Sequence, residues 1–174
     1  MNRLILPVAA MAAVVVASNI LVQYPINDWL TWGALTYPFA FLITDLTNRT
    51  WGPAAARRVV TVGFLIAVVM SAWLATPRIA AASGAAFLVA QLLDVTLFDR
   101  LRHLRAWWAA PLASSTVGSA VDTLIFFAGA FALTEVPWVS LAIGDYGVKL
   151  VLAVAMLVPF RVAIRTVLAK PSQA

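Results

Sequence analysis

Four ionisable side chains, Asp45, Asp94, Asp122 and Lys149, stand in or at the end of apolar runs long enough to cross a bilayer. A charged group at the centre of a membrane helix costs about 2.5–3.5 kcal/mol on insertion scales, so such groups face a polar cavity or a partner. Asp122 makes the strongest case. It lies near the middle of a run rich in small polar residues, Ser114, Ser115, Thr116, Gly118, Ser119 and Thr123. Small residues let helices approach closely, which accounts for the serines and the glycine but not for a carboxylate at mid-membrane depth. Asp122 is therefore the leading candidate for a solute-binding group.

Other polar residues recur at helical spacing. Asn19 and Gln23 are four apart and share a face. They fit a polar helix end at the membrane interface, or an amide pair lining a site, where each amide both donates and accepts as a heterocycle requires. Gln91 and Asp94, three apart, share a face of a later helix. Asp45 has Arg49 at i+4, which fits an interfacial ion pair or a gating pair, and Asp145 with Lys149 repeats that spacing as an internal ion pair or a coupling element. Tyr37, Phe39 and Phe41 precede Asp45, as packing, lipid-facing or ligand-stacking rings. Pro38 among them frees a backbone carbonyl about one turn earlier, which is tolerated where backbone is buried in protein or lines a cavity.

The elements that must position these groups are membrane helices. Of 174 residues, 63% are hydrophobic and 11% charged, and the mean hydropathy is +0.95. Soluble domains run near 45–50% apolar and about 25% charged. About 20 apolar residues span the hydrocarbon core, which predicts six helices near 4–22, 30–47, 58–76, 79–98, 107–133 and 139–168, in a single transmembrane domain covering 1–174. The first reads as a membrane helix rather than a signal peptide, being longer than an h-region and lacking a cleavage pattern at Asn19 and Gln23. The third and fourth form a tight hairpin across Thr76-Pro77-Arg78, and Pro159 is expected to kink the sixth. Continuous Ala/Leu/Val runs without alternation exclude a β-barrel.

The basic residues set the orientation. Arg3, Arg49, Arg57, Arg58, Arg100, Arg102, Arg105, Arg161, Arg165 and Lys170 fall on one side and only Arg78 on the other. The positive-inside rule then puts both termini in the cytoplasm. Trp29, Trp32, Trp51, Trp107, Trp108 and Trp138 lie near helix ends, as an interfacial belt requires. The net charge of +5 belongs to membrane loops, so nucleic acid is not an expected partner. The chain has no cysteine, which excludes disulfides and thiolate chemistry. The lone histidine, His103, lacks partner ligands for a metal, and no phosphate-binding loop is present. No catalytic residues, metal or cofactor are expected.

Several strings in order are similar to the bacterial queuosine-precursor transporters of the vitamin-uptake-transporter family. They are Ala17-Ser18-Asn19-Ile20-Leu21-Val22-Gln23, Thr31-Trp32-Gly33-Ala34, Pro38-Phe39 running to Thr44-Asp45-Leu46-Thr47, and Gly52-Pro53-Ala54-Ala55-Ala56-Arg57-Arg58. They continue with Leu93-Asp94-Val95, Phe98, Arg100-Leu101-Arg102, Trp107-Trp108, Ala110-Pro111, Val121-Asp122-Thr123-Leu124 and Asp145-Tyr146 with Lys149. The resemblance runs from the first helix to the sixth. It departs in the tight join of the third and fourth helices and in Ser119-Ala120, where relatives often carry an amide.

The resemblance implies a multi-pass inner-membrane importer of 7-cyano- and 7-aminomethyl-7-deazaguanine for queuosine salvage. It also implies a six-helix fold similar to the substrate-binding subunits of energy-coupling-factor transporters. A guanine-like edge offers N1–H and a 2-amino group side by side, and a carboxylate accepts both in a charge-assisted pair. Asp122 would read the base, with Asn19, Gln23, Gln91 and Asp94 as further contacts and Tyr37 or Phe126 as a stacking ring. Asp45, Arg49, Asp145 and Lys149 would gate or couple, for instance through a proton on Asp45 or Asp94. The expected partners are the substrate, the lipid bilayer and, in a homo-oligomer, further copies of the chain. The alternative is a solute-binding subunit for another purine-like or vitamin-like compound, dependent on a separate energising complex. The small residues Ala9, Ala10, Ala12, Ala13 and Ala17 would then form its docking face.

Overall fold

Long runs of Ala, Leu and Val satisfy their backbone within each segment only as helices, and helices make up nearly all of the computed structural model, which describes residues 2–21, 24–27, 30–74 and 76–168. A short 3-10 turn, Asn2–Leu4, leads into α1 (Ile5–Leu21). Two short antiparallel strands follow, β1 (Pro25–Asn27) and β2 (Leu30–Thr31). Then come α2 (Trp32–Thr36), α3 (Pro38–Trp51), α4 (Pro53–Leu74), α5 (Pro77–Leu101), α6 (Ala109–Phe131) and α7 (Trp138–Leu168). Gln23, Asp28, Trp29 and Lys170, used in the sequence reading, lie outside the described residues.

The chain's punctuation explains the boundaries. Pro38, Pro53 and Pro77 each occupy the first helical position, where the missing N–H costs nothing. Gly52 closes α3 at φ 86, a left-handed conformation suited to glycine, and its N–H bonds Asn48 O at 2.9 Å. Thr76 caps α5 by accepting the Ile79 N–H at 3.4 Å. At the same end, Arg78 donates to the carbonyls of Gly129 and Ala132 on the last turn of α6.

Among the described residues, α4, α5, α6 and α7 are long and apolar enough to cross a membrane, while α1 has 17 residues. The segment expected as one helix over 30–47 is two helices meeting at Tyr37, because Pro38 cannot donate to the preceding turn, and α3 runs on to Trp51. The third helix starts at Pro53 rather than 58, taking Arg57 and Arg58 into its first turns. Pro159 lies inside α7, whose helix continues through it.

The interior combines apolar clusters, around Met11, Val59, Val60 and Phe87 and around Phe98 and Phe160, with a set of buried polar groups. Val151, Val154, Val158 and Val162 form an exposed stripe on α7, whereas Thr44, Asp45, Asn48, Gln91, Asp94, Ser114, Asp122 and Lys149 are buried. An apolar outer stripe over buried polar groups suits a lipid surround, where small and polar residues join helices. Helix α5 packs between α4 and α6, and α6 against α7. A Cβ at Gly118 of α6 would lie 2.8 Å from the Phe41 ring on α3, so glycine at that position permits the approach of α6 to α3.

Candidate functional site

One face of α6 builds the site. Ser114 and Ser115, Gly118 and Ser119, and Asp122 and Thr123 recur every four residues, so they stack along one stripe. All six are buried, while Val117 and Leu124 point outward. The stripe meets α3, α5 and α7, which add two polar clusters at different depths.

The first cluster surrounds Asp122. Lys149 Nζ on α7 donates to Asp122 Oδ2 at 2.8 Å and to Thr123 Oγ1 at 3.1 Å, and it pairs with Asp145 Oδ2 at 2.5 Å. Tyr37, at the α2–α3 junction, donates its hydroxyl to Asp122 Oδ1 at 3.0 Å. Thr123 donates to Asp145 Oδ2 at 2.8 Å. The ammonium also lies 5.4 Å from the centre of the Tyr37 ring, within cation–π range. The i,i+4 pair expected between Asp145 and Lys149 is present, and it is one arm of a larger network centred on Lys149.

The second cluster lies about two turns along α6, around Asp45 and Asp94. Asp45 is buried and accepts from Ser114 at 3.4 Å and Ser115 at 3.5 Å. The carboxyl of Asp94 lies beside that of Asp45 and near the Ser114 hydroxyl, and neither of its oxygens makes a well-formed hydrogen bond. Gln91 accepts from Thr44 at 2.6 Å, while its Nε2 is buried without a partner. Asn48 donates to Val95 O at 2.9 Å, and its Oδ1 is likewise unpaired. Two facing carboxyl groups hold a proton between them or share a cation, so this cluster can carry charge as well as bind.

A cleft joins the clusters. It is lined by Asp45, Ser115, Ser119 and Lys149 with the apolar side chains of Phe41, Met156 and Phe160 among others. Its free volume is about 10 Å³, room for one water and not for a bicyclic base. As it stands, the cleft between α3, α6 and α7 is closed to anything larger than a water.

The remaining expected site residues fall elsewhere. Asn19 bonds Val15 O at 2.9 Å and accepts from Ser71 of α4 at 3.3 Å, tying α1 to α4. Phe126 lies one turn beyond Asp122 in an edge-to-face group with Phe127 and Phe131. The ion pair between Asp45 and Arg49 is absent. Arg49 turns away to donate to Arg102 O at 2.9 Å, and Arg102 returns a bond to Asn48 O at 3.0 Å. Spacing put Arg49 within reach of Asp45, but at the helix end a backbone carbonyl and exposure to water make a better environment for the guanidinium than a dry interior.

Sequence reasoning missed Thr44 and Asn48. Their signal was present, since Thr44 and Asn48 are four apart on the polar face that carries Asp45.

Residues 31–76 and 72–164 match a family model described as "Putative vitamin uptake transporter". The chain is 36% identical over 198 residues to the "Probable queuosine precursor transporter" of Haemophilus influenzae, covering 90% of this chain and 84% of that one. It is 37% identical over 174 residues to the "Queuosine precursor transporter" of Escherichia coli, covering 84% and 79% respectively. A third relative, the "Probable queuosine precursor transporter" of Bacillus subtilis, is 31% identical over 68% of this chain and 65% of its own length. No solved structure matches.

Proposed function

The chain belongs to the vitamin uptake transporter family, together with the curated queuosine precursor transporters, and on that premise we propose that it imports 7-cyano- and 7-aminomethyl-7-deazaguanine for queuosine salvage. The observation that carries this reading is the state of Asp122. Both its oxygens accept bonds in the bundle interior, one from Tyr37 and one from Lys149. A guanine-like edge brings two adjacent donors and takes the place of those two, exchanging one bidentate set for another. Tyr37, released from Asp122, is placed to stack on the base, a contact worth about 1–3 kcal/mol in nucleic-acid systems.

The transport cycle is alternating access without covalent chemistry. Opening the cleft exposes Asp122, and closing it restores the Lys149 and Tyr37 bonds. Asp45, in the wall of the cleft, and Asp94 beside it supply the group through which a proton couples to that movement. Gln91, Asn19 and Gln23 supply secondary contacts to the base, and Phe126 is the alternative stacking ring.

The reading is tested in a strain that cannot make the precursor. At low external precursor, queuosine returns to its tRNA when this protein is expressed, and no recovery despite good expression removes the assignment.

The topology proposed with it has six spans in the bacterial inner membrane, with α1 and the α2–α3 segment crossing as well as α4 to α7, a bundle similar to energy-coupling-factor substrate subunits. Both termini lie in the cytoplasm, as the basic residues require. A reporter active only in the periplasm, fused to the C-terminus, gives no signal; strong periplasmic activity from an intact fusion reverses the orientation.

One observation favours a second reading, a binding subunit energised by a separate complex: Ala9 and Ala13 are exposed together on α1, a small-residue face of the kind that packs against another helix. Uptake by the purified protein alone in vesicles supports the first reading. Precursor binding without uptake supports the second.

A further inference from the structure

The charges around Asp122 do not balance. Lys149 is shared between Asp122 at 2.8 Å and Asp145 at 2.5 Å. The other bonds to these two groups come from the hydroxyls of Tyr37 and Thr123. Every bond described to Asp122 Oδ1, Asp122 Oδ2 and Asp145 Oδ2 comes from a donor, so both groups are counted as carboxylates. Two negative charges against one positive leave one negative in excess.

The surrounding helices add nothing to offset it. From α3, Asp45 lines the same cleft as Lys149, and from α5, Asp94 lies behind Asp45. Described residues of α2 carry no charge, and Asp122 is the one charged residue of α6. Arg78, at the far end of α6, is held by the Gly129 and Ala132 carbonyls. Arg49 is turned to the Arg102 carbonyl. Among the described residues, Lys149 is the one cation that reaches the site.

We infer that the site is built for a cationic base, and that of the two precursor forms it prefers the 7-aminomethyl compound, which carries an ammonium, over the neutral 7-cyano compound. This rests on the proposed substrate reading and goes beyond it. A neutral base on Asp122 leaves the excess negative charge in place, in an interior where an uncompensated ion is costly. A base that brings its own ammonium cancels that charge. The site already shows how it holds such a group, since Lys149 Nζ is gripped by two carboxylates and a hydroxyl with the Tyr37 ring nearby. A close charge pair at a desolvated contact couples strongly enough to be read in affinity.

The experiment measures binding of three ligands to the purified full chain in lipid nanodiscs at pH 7: the 7-aminomethyl form, the 7-cyano form, and the aminomethyl form neutralised by N-acetylation. The expected result is at least tenfold tighter binding of the ammonium form than of either neutral one, about 1.4 kcal/mol. Asp145→Asn removes one negative charge and shrinks that ratio to below threefold. Equal or tighter binding of the 7-cyano form by the unmodified protein overturns the inference while leaving the substrate reading intact, as does an unchanged ratio in folded Asp145→Asn protein. Binding of none of the three ligands overturns the substrate reading and this inference together. The wild-type comparison decides without the variant if Asp145→Asn fails to fold.

Discussion

Asp122→Asn lowers affinity for the precursor more than tenfold and leaves the melting temperature close to that of the unmodified protein. Asparagine keeps the size of the side chain but offers one acceptor oxygen and turns an NH2 toward the donors of the base. Losing a charged acceptor and opposing donor to donor costs about 1.5–3 kcal/mol, and tenfold in affinity is about 1.4 kcal/mol. The fold survives because Lys149 keeps Asp145 and Thr123 and Tyr37 retains an oxygen to donate to. If Asp122 only joined helices, the melting temperature would fall and the remaining folded protein would bind normally. Both quantities measured on one purified sample separate the two roles.

Lys149→Met gives the larger loss of stability. Methionine fills much of the same volume, but buried Asp122 and half-buried Asp145 are left side by side with no cation between them. Breaking a buried pair by removing one partner costs about 3–5 kcal/mol, so the variant melts well below the unmodified protein in detergent. Adding Asp145→Asn to Lys149→Met removes one of the two stranded charges and recovers part of the loss. Full stability of Lys149→Met alone, or no recovery in the double variant, shows that the charges do not depend on one another as the distances indicate.

The parts of this site that lie within one helix were legible in the sequence, and the parts that join helices were not. Asp145 and Lys149 are one turn apart on α7, and helical periodicity alone brings them together. The bond from Lys149 to Asp122 links α7 to α6, and that from Tyr37 to Asp122 links the α2–α3 junction to α6. Both depend on how closely the helices pack, which small residues such as Gly118 decide and hydropathy does not record. Arg49 shows the converse error, since spacing fixed its neighbour but not the direction of a long side chain with a carbonyl within reach. The apolar run through 30–47 hid the division into α2 and α3, because a window average passes over a missing backbone donor at Pro38. The helical class was readable because long apolar runs leave the backbone so few alternatives in lipid.

The hold of Arg78 on α6 also bears on how the protein is made. Only Ala75 and Thr76 separate α4 from α5, and Arg78 stands at the tip of that hairpin. The carbonyls that receive that guanidinium belong to Gly129 and Ala132, more than fifty residues later in synthesis. Until those carbonyls have been made, the contact that ties the tip to α6 cannot form. Arrival of α6 fixes the tip, and in the same event lays the Asp122 face against α5. The tip of the hairpin is thus joined to α6 late in synthesis, and the polar interior waits longer still, for α7 to bring Asp145 and Lys149.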